Sequence, residues 1–483
     1  MLKRELTQIC KACFSSETVT KHETFVKQYK DDFWKDLNPD VEHSNFPKSL
    51  GELIKCLKSW KSRLESSIAK KGCNVLKLEK ESTALQHMVF ENIEIPGYRQ
   101  SRQISTQEEP VYVEGVLSDI DIVQRYGSSH RRITLLGSNG EKFTFLIQSG
   151  LGPSTSCDER VMSLLHAFNS VLEENAETRR RATKFFTPAI ISLWPQITLV
   201  EDHESFISFM EVYEWFCSRF GREPDAPIMK FKELVSSALS TNVAQEQVTL
   251  TPQQILEIRF RAFSDICTHI VADNILTQYM YKALPTCSHL WEFKKRFATQ
   301  LGLSSVISHT LQVGGRSPNK IIFSRSSGAI FNSDFYPLFD SNGNVECSEP
   351  VPFRMTRNIQ VLLTPFCLEG IFVTTLSSCA QAINAERSLI VPHLGLFFRD
   401  ELLNWSWRRL RSPGPAPMDL KSMVKANVVN SINRMKVMEP TEAINTKTSV
   451  SSQHLQKGTY DLVENAVNPE NLCRMEPTWH PWF

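Results

Sequence analysis

Few residues in this sequence combine a reactive side chain with a spacing that chemistry can use. Cys10-Lys11-Ala12-Cys13 has the C-x-x-C spacing at which two thiolates bind zinc or exchange a disulfide. No second pair completes a four-thiolate site and no strand-to-helix pattern surrounds it, so two ordinary helix cysteines are expected. The basic runs Arg179-Arg180-Arg181 and Arg408-Arg409 could hold an anion, but each is short and reads as the solvated end of an element. Asp158-Glu159 stand where a helix opens, a place at which carboxylates complement the helix dipole. Asp334 reads as a turn or capping residue, and Arg316 and Phe335 as fold anchors. Neither a metal nor a cofactor is expected.

The elements that carry these residues need more than one core. The chain has 483 residues, beyond the roughly 250–300 at which a single core stops growing. A hydrophobic content of 41% can fill large cores, while a net charge of +1 supplies no global field for a polyanion. No direct nucleic-acid partner is expected, and no stretch approaches the roughly 18 consecutive apolar residues of a membrane span. Twelve scattered cysteines and an N-terminus with no apolar run point to a reducing compartment, cytosol or nucleus.

Leu50, Leu53, Ile54, Leu57, Trp60 and Leu64 recur at helical steps and predict an amphipathic helix that Gly72 stops. From residue 73 the texture becomes two-residue alternation, at 75–78, 93–95, 120–123, 133–136 and 143–147, with Ser138-Asn139-Gly140 as a hairpin turn. A helix with Val161, Leu164, Leu165, Phe168 and Leu172 on one face follows, then a strand pair at 189–193 and 197–200. This is an α+β lobe. After residue 203 helices dominate, over 207–216, 231–239, 252–263 and 290–308, with strand-like interruptions at 320–323 and 329–331. Residues 411–417 read as a linker, and 446–453 are rich in Ser and Thr. Leu455, Tyr460, Val463, Ala466 and Val467 line a helix that Asn468-Pro469 ends. Trp479, Trp482 and Phe483 form an aromatic terminus expected to dock against the helical lobe.

A strand-rich lobe followed by a larger helical one is a kinase layout, and ordered motifs carry the likeness further. They are Phe145-Leu146-Ile147-Gln148, Asp158-Glu159-Arg160-Val161-Met162, Gly314-Gly315-Arg316-Ser317-Pro318-Asn319-Lys320, Asp334-Phe335 and Val351-Pro352-Phe353-Arg354-Met355-Thr356. A tail, Asn468-Pro469-Glu470-Asn471-Leu472-Cys473-Arg474-Met475 and then Trp479-His480-Pro481-Trp482-Phe483, completes the set. Together these resemble the phosphatidylinositol 3-kinase-related kinases over essentially the whole chain, and within that family its degenerate, pseudokinase branch. The resemblance implies an α+β, two-lobed PI3/PI4-kinase-like fold. Residues 1–72 would be the helical end of a FAT region, 73–202 the N-lobe, 203–440 the C-lobe, 441–454 a linker and 455–483 a FATC segment.

Phosphoryl transfer needs a cation on the nucleotide phosphates, metal ligands and a carboxylate that positions the attacking hydroxyl. Where active relatives carry a strand-end Lys, this chain has Gln148, a neutral amide. Where they carry Asp-Arg-His, it reads Gly315-Arg316-Ser317, so the carboxylate base and its histidine neighbour are both missing. Lys320 stands in place of a metal-binding Asn. At about 4 Å and an effective dielectric of 20 its repulsion of a dication is on the order of 8 kcal/mol. Asp334 is retained from Asp-Phe-Gly, but Tyr336 replaces the glycine.

The resemblance therefore implies a catalytically inactive scaffold in the nucleus, a subunit of SAGA-type and related histone acetyltransferase complexes. Its partners would be other complex subunits and transcription activators, the latter mainly through helical repeats that precede the FAT region in such relatives. A nucleotide-binding regulatory pseudokinase or a residual serine/threonine-protein kinase is the alternative. Opening inside a FAT region, the chain is either the C-terminal portion of a longer protein or an unusually short member. Lys58-Ser59-Trp60-Lys61 is a candidate surface contact unless Trp60 belongs to a core.

Overall fold

The computed structural model describes residues 23–38, 46, 47, 49–71, 75–98, 110–125, 128–149, 157–194, 197–246, 251–332, 335, 337–410, 419–440 and 457–483, with Lys11 and Phe14. Cys10 and Cys13, residues 150–156, Asp334, Tyr336, residues 411–417 and 446–453, Leu455, and the side chains of Arg408 and Arg409 lie outside the described residues.

Helices α1 (Glu23–Leu37) and α2 (Leu50–Lys71) pack through Tyr29, Leu37, Leu53 and Trp60. Trp60 is no surface contact. It is 5% exposed, its indole N–H donates to Asp36 at 3.0 Å, and the Arg63 guanidinium covers its ring at 4.9 Å. The helical period settles this, because Trp60 falls on the same stripe as Leu53.

Strands β1 (Val75–Lys77), β2 (Val113–Val116), β3 (Asp119–Arg125), β4 (Ser128–Gly137) and β5 (Lys142–Ser149) are followed by helix α3 (Cys157–Glu174), β6 (Ile190–Trp194) and β7 (Ile197–Asp202). They form a seven-stranded sheet in the order β1-β3-β4-β5-β7-β6, with β2 on β4, and every pairing is antiparallel. Residues 93–95, expected as a strand, contribute only a bridge from Glu94 to Tyr112, because Pro96 and the left-handed Gly97 (φ 69°) turn the chain at once.

Two-residue alternation splits the sheet into two faces. Ile120, Ile133, Leu135, Phe143, Phe145 and Leu199 close a small core with Leu78 and Ile95. Leu146, Val200 and Ile190, on the other face, join the main core with Val161, Leu164 and Phe168 of α3 and the helical lobe beyond. That second face, the roof, is the one turned toward the helical lobe.

The helical lobe opens with a strand that sequence periodicity assigns to a helix. β8 (Phe206–Ser208) pairs with β9 (Ile321–Ser324), which pairs with β10 (Ile330–Asn332). A capping box stops β8 and starts α4 (Phe209–Phe220): Ser208 Oγ accepts from Glu211 N–H at 3.1 Å, and the Glu211 carboxylate accepts from Ser208 N–H at 2.6 Å. Helices α5 (Ala226–Glu246), α6 (Pro252–Asp265), α7 (Ile275–Ala283) and α8 (Cys287–Leu311) precede β9. Helices α9 (Arg357–Leu363), α10 (Val373–Ala385), α11 (Arg387–Leu410) and α12 (Leu420–Val437) follow β10, and α13 (Lys457–Val467) leads into the C-terminal segment. α8 is the axis of the lobe. Its Phe293 and Phe297 stack at 5.4 Å under Phe209 and Phe323, and Gly302 lets α10 approach, since a Cβ there would stand 3.1 Å from Thr375 Cβ. Among the described residues no single helix is long and apolar enough to cross a membrane.

Candidate functional site

Strand register decides what faces the cleft. Arg132 lies opposite Leu146 and Leu146 opposite Val200, so the Leu146 face also carries Arg125, His130, Gln148, Thr198 and Asp202. Gln148 lies on this face, opposite Thr198. Beside it the charges of the roof are turned on one another. Arg132 donates from Nε at 2.8 Å and from Nη2 at 2.5 Å to a single oxygen of Asp202. Arg125 Nε lies 3.6 Å from the other Asp202 oxygen, while its Nη1 donates to Glu211 at 2.9 Å and its Nη2 to the Phe206 carbonyl at 2.8 Å. Arg125, Arg132 and Asp202 are all buried. The network ties the β3–β4 hairpin to the strand that leaves the small lobe and to the first helix of the large one.

The Gly314 to Lys320 loop lies between α8 and β9. Gly315 is left-handed (φ 69°) and its N–H donates to Glu349. Ser317 N–H donates to the Gly315 carbonyl at 2.8 Å, and Lys320 N–H to the Ser317 carbonyl at 3.0 Å. The Lys320 ammonium lies 4.0 Å from where a Cβ on Gly315 would stand. Space that an acidic side chain at 315 would enter is thus next to a cation. Burial raises the Glu349 pKa, opposed by the Gly315 amide and by the cations Arg316, Arg354 and Lys320. Arg316 is buried, donates to the Gly314 carbonyl at 3.1 Å and covers the Phe335 ring at 5.4 Å, which makes both residues anchors of the loop.

Asp158 and Glu159 open α3 as expected, and each also makes a tertiary bond. Asp158 accepts from Phe335 N–H at 2.9 Å, and Glu159 accepts from Ser192 Oγ at 3.0 Å. Arg160 reaches Asp400 at 3.1 Å and Glu401 at 2.7 Å on α11. Among the described residues no three His, Cys, Asp or Glu side chains gather as a metal site would require. Position 148 carries an amide and position 315 a glycine, where the family resemblance implies a lysine and a carboxylate.

A residue whose role the sequence does not reveal, Arg354, links this loop to the C-terminal segment. Arg354 Nη1 donates to the carbonyls of Arg316 at 3.0 Å and Trp479 at 2.7 Å, and Nη2 donates to the main-chain oxygens of His480 at 3.0 Å and Phe483 at 2.5 Å. Its guanidinium lies 4.1 Å from the centre of the Trp479 ring. Burial lowers its pKa to about 9, against the attraction of Glu349. Two further arginines reach the same segment: Arg259 donates to the carbonyls of Cys473, Arg474 and Met475, and Arg357, anchored on the carbonyls of Cys267 and Val271, to that of Trp482 at 3.5 Å. Trp479, Trp482 and Phe483 are buried, with Phe483 against Tyr213 and Trp482 against Phe231. The aromatic terminus docks on the helical lobe. Burial and Arg354 lower the His480 pKa to about 4, so its imidazole is neutral at physiological pH.

The Phosphatidylinositol 3- and 4-kinase family profile matches residues 148–407, more than half of the chain, and the FATC domain profile matches residues 460–483. The SAGA complex/NuA4 acetyltransferase complex subunit TRA1 of Saccharomyces cerevisiae is 29% identical over 453 residues, covering 89% of this chain and 12% of that protein. Transformation/transcription domain-associated protein of Homo sapiens is 26% identical over 449 residues, 90% of this chain and 11% of that protein. The chain thus spans about 12% of the length of these relatives. Among solved structures, the FAT and kinase domain of CtTel1 aligns with a TM-score of 0.57 at 15% identity, covering 99% of this chain and 30% of that one. The open conformation of CtTel1 aligns at 0.59 and 16% identity over 85% of this chain and 14% of that one. With its lobes, its loop and its docked tail, the chain belongs to the phosphatidylinositol 3- and 4-kinase family, and its similarity is to the C-terminal region of Tra1 and transformation/transcription domain-associated protein.

Proposed function

We propose that this chain is a catalytically inactive member of its family and serves as the kinase-like and FATC portion of a nuclear scaffold subunit in histone acetyltransferase complexes of the SAGA and NuA4 kind. In this reading residues 1–72 end a FAT region, 73–202 and 203–440 are the two lobes, and 455–483 are the FATC segment. Gln148, Gly315, Ser317 and Lys320 are degenerate positions, and Asp334 is retained from the Asp-Phe-Gly signature. The subunit links transcription activators to chromatin acetylation, and the kinase-like part supplies a rigid end to which other subunits attach. The observation that carries the reading is the cleft itself, whose buried Arg125, Arg132 and Asp202 pair with one another, beside a loop with glycine where a base would stand. Charges already paired with one another in this way are not presented to a nucleotide phosphate.

Affinity purification of the endogenously tagged protein, read by mass spectrometry, tests the scaffold role. Acetyltransferase-complex subunits are expected in amounts comparable to the bait. Recovery of the bait with none of them would remove the scaffold reading while leaving the family assignment intact.

A further inference from the structure

The molecule has a groove of about 660 Å³ that none of Gln148, Gly315, Ser317 and Lys320 lines. One wall is the turn that follows Arg180, the other is α8, and the floor comes from α10 and the β9–β10 turn. Arg181, Lys184, Lys295 and Arg296 stand along it, and no acidic residue is in its lining. Between them Thr299, Gln300 and Thr374 alternate with an apolar strip of Phe185, Phe186 and Ile371, of which Phe186 and Ile371 are half-buried.

The cations are available for exchange. Arg181 pairs with Glu177 at 2.6 Å, Lys184 with Glu173 at 3.1 Å and Arg296 with Glu292 at 2.6 Å, and each carboxylate lies outside the groove with its side chain 43%, 52% and 58% exposed. Exposed pairs of this kind contribute little and are readily replaced. The backbone here is held in an unusual shape: Ala182, at the rim, has φ 51°, a left-handed conformation that residues with a Cβ seldom adopt. Gln300 Nε2 fixes the turn to α8 by donating to the Lys184 carbonyl at 2.8 Å. A strained turn that brings two cations opposite two others is more than the solvated helix end that Arg179-Arg180-Arg181 resembles in the sequence.

From this geometry we propose that the groove docks an acidic, apolar-anchored peptide segment of a partner protein. Carboxylates would replace Glu173, Glu177 and Glu292 on the basic rim, and aliphatic or aromatic side chains between them would cover Phe186 and Ile371. A compact polyphosphate would satisfy the cations and leave the apolar surface wet. The inference depends on this surface alone and not on the scaffold reading.

The test uses the full chain and a fluorescein-labelled peptide of roughly 12 residues alternating Asp or Glu with Leu or Phe, read by anisotropy. Saturable binding is expected, weakening by about tenfold between roughly 50 and 200 mM salt. Lys184→Glu and Arg296→Glu should each weaken it by about tenfold, while Lys142→Glu, a charge reversal elsewhere on the surface, should not. Circular dichroism of each variant checks that the fold is kept. Absence of saturable binding overturns the proposal, as does unchanged affinity in both folded groove variants, or equal binding of a peptide with Lys in place of the acids. Groove-dependent binding of inositol hexakisphosphate without peptide binding would also overturn it, in favour of a small polyanion site.

Discussion

Arg354→Met is expected to destabilise the chain by on the order of 3–5 kcal/mol, read as a lower urea midpoint. One guanidinium serves four main-chain oxygens, those of Arg316, Trp479, His480 and Phe483, in a region closed to water. Methionine keeps much of the volume but donates to none of them, and each buried acceptor left without a partner costs about 1–3 kcal/mol. Losing a buried charge returns part of this, because burial already disfavours the ionised form, as the lowered pKa reflects. Arg354→Lys should recover only a minority of the loss, since an ammonium is a compact donor and cannot span oxygens on both sides of a planar fork. Removing residues 479–483 should act in the same direction, because three of the four oxygens and the rings against Tyr213 and Phe231 go with them. A change below about 1 kcal/mol in Arg354→Met would mean that the aromatic packing, with Arg259 and Arg357, holds the C-terminal segment without Arg354.

Asp202→Ala should be comparably severe, again about 3–5 kcal/mol, because it leaves Arg125 and Arg132 buried with their shared carboxylate gone. Glu211 and Asp121 compensate poorly: Glu211 is already engaged by Arg125, and Asp121 is 3.9 Å from Arg132 and half-exposed. A double-mutant cycle separates the pair from its surroundings. Arg132→Met combined with Asp202→Leu should regain most of what either single change loses, since apolar replacement of a whole buried pair is often close to neutral. Additive losses in that cycle would show that Arg132 and Asp202 act separately and that the buried pair is not a unit.

Much of the fold can be read from local pattern, and the reasons are physical. The period-two alternation through residues 120–147 and the helical stripe from Val161 to Leu172 each follow from burial on one face, and the structure places them on β3 to β5 and α3. The aromatic terminus is legible because Trp479, Trp482 and Phe483 in water would be costly. What stays hidden depends on partners distant in the chain. β8 looks like the first turn of a helix until its pairing with β9 is known, more than a hundred residues later. Arg132 and Asp202 look like ordinary strand charges until register across β5 sets them on one face. At the cleft, motif order brings Gln148 and the Gly315 loop to attention, yet the arginines that close the roof and the one that ties loop to tail are set by tertiary contact alone. Trp60 between lysines fits either a surface or a core by its neighbours alone, and its place on the Leu53 stripe, with the bond from its indole N–H to Asp36, sets it in the core.

The inactive-cleft proposal is tested most directly by calorimetric titration of ATP with magnesium into the full chain, with transfer of radiolabelled phosphate to a serine-containing substrate followed in the same preparation. It predicts no saturable isotherm in the micromolar range and no magnesium-dependent transfer. A saturable, magnesium-dependent isotherm accompanied by transfer that Asp334→Ala abolishes would contradict it, and would require Arg125, Arg132 and Asp202 to part when nucleotide enters.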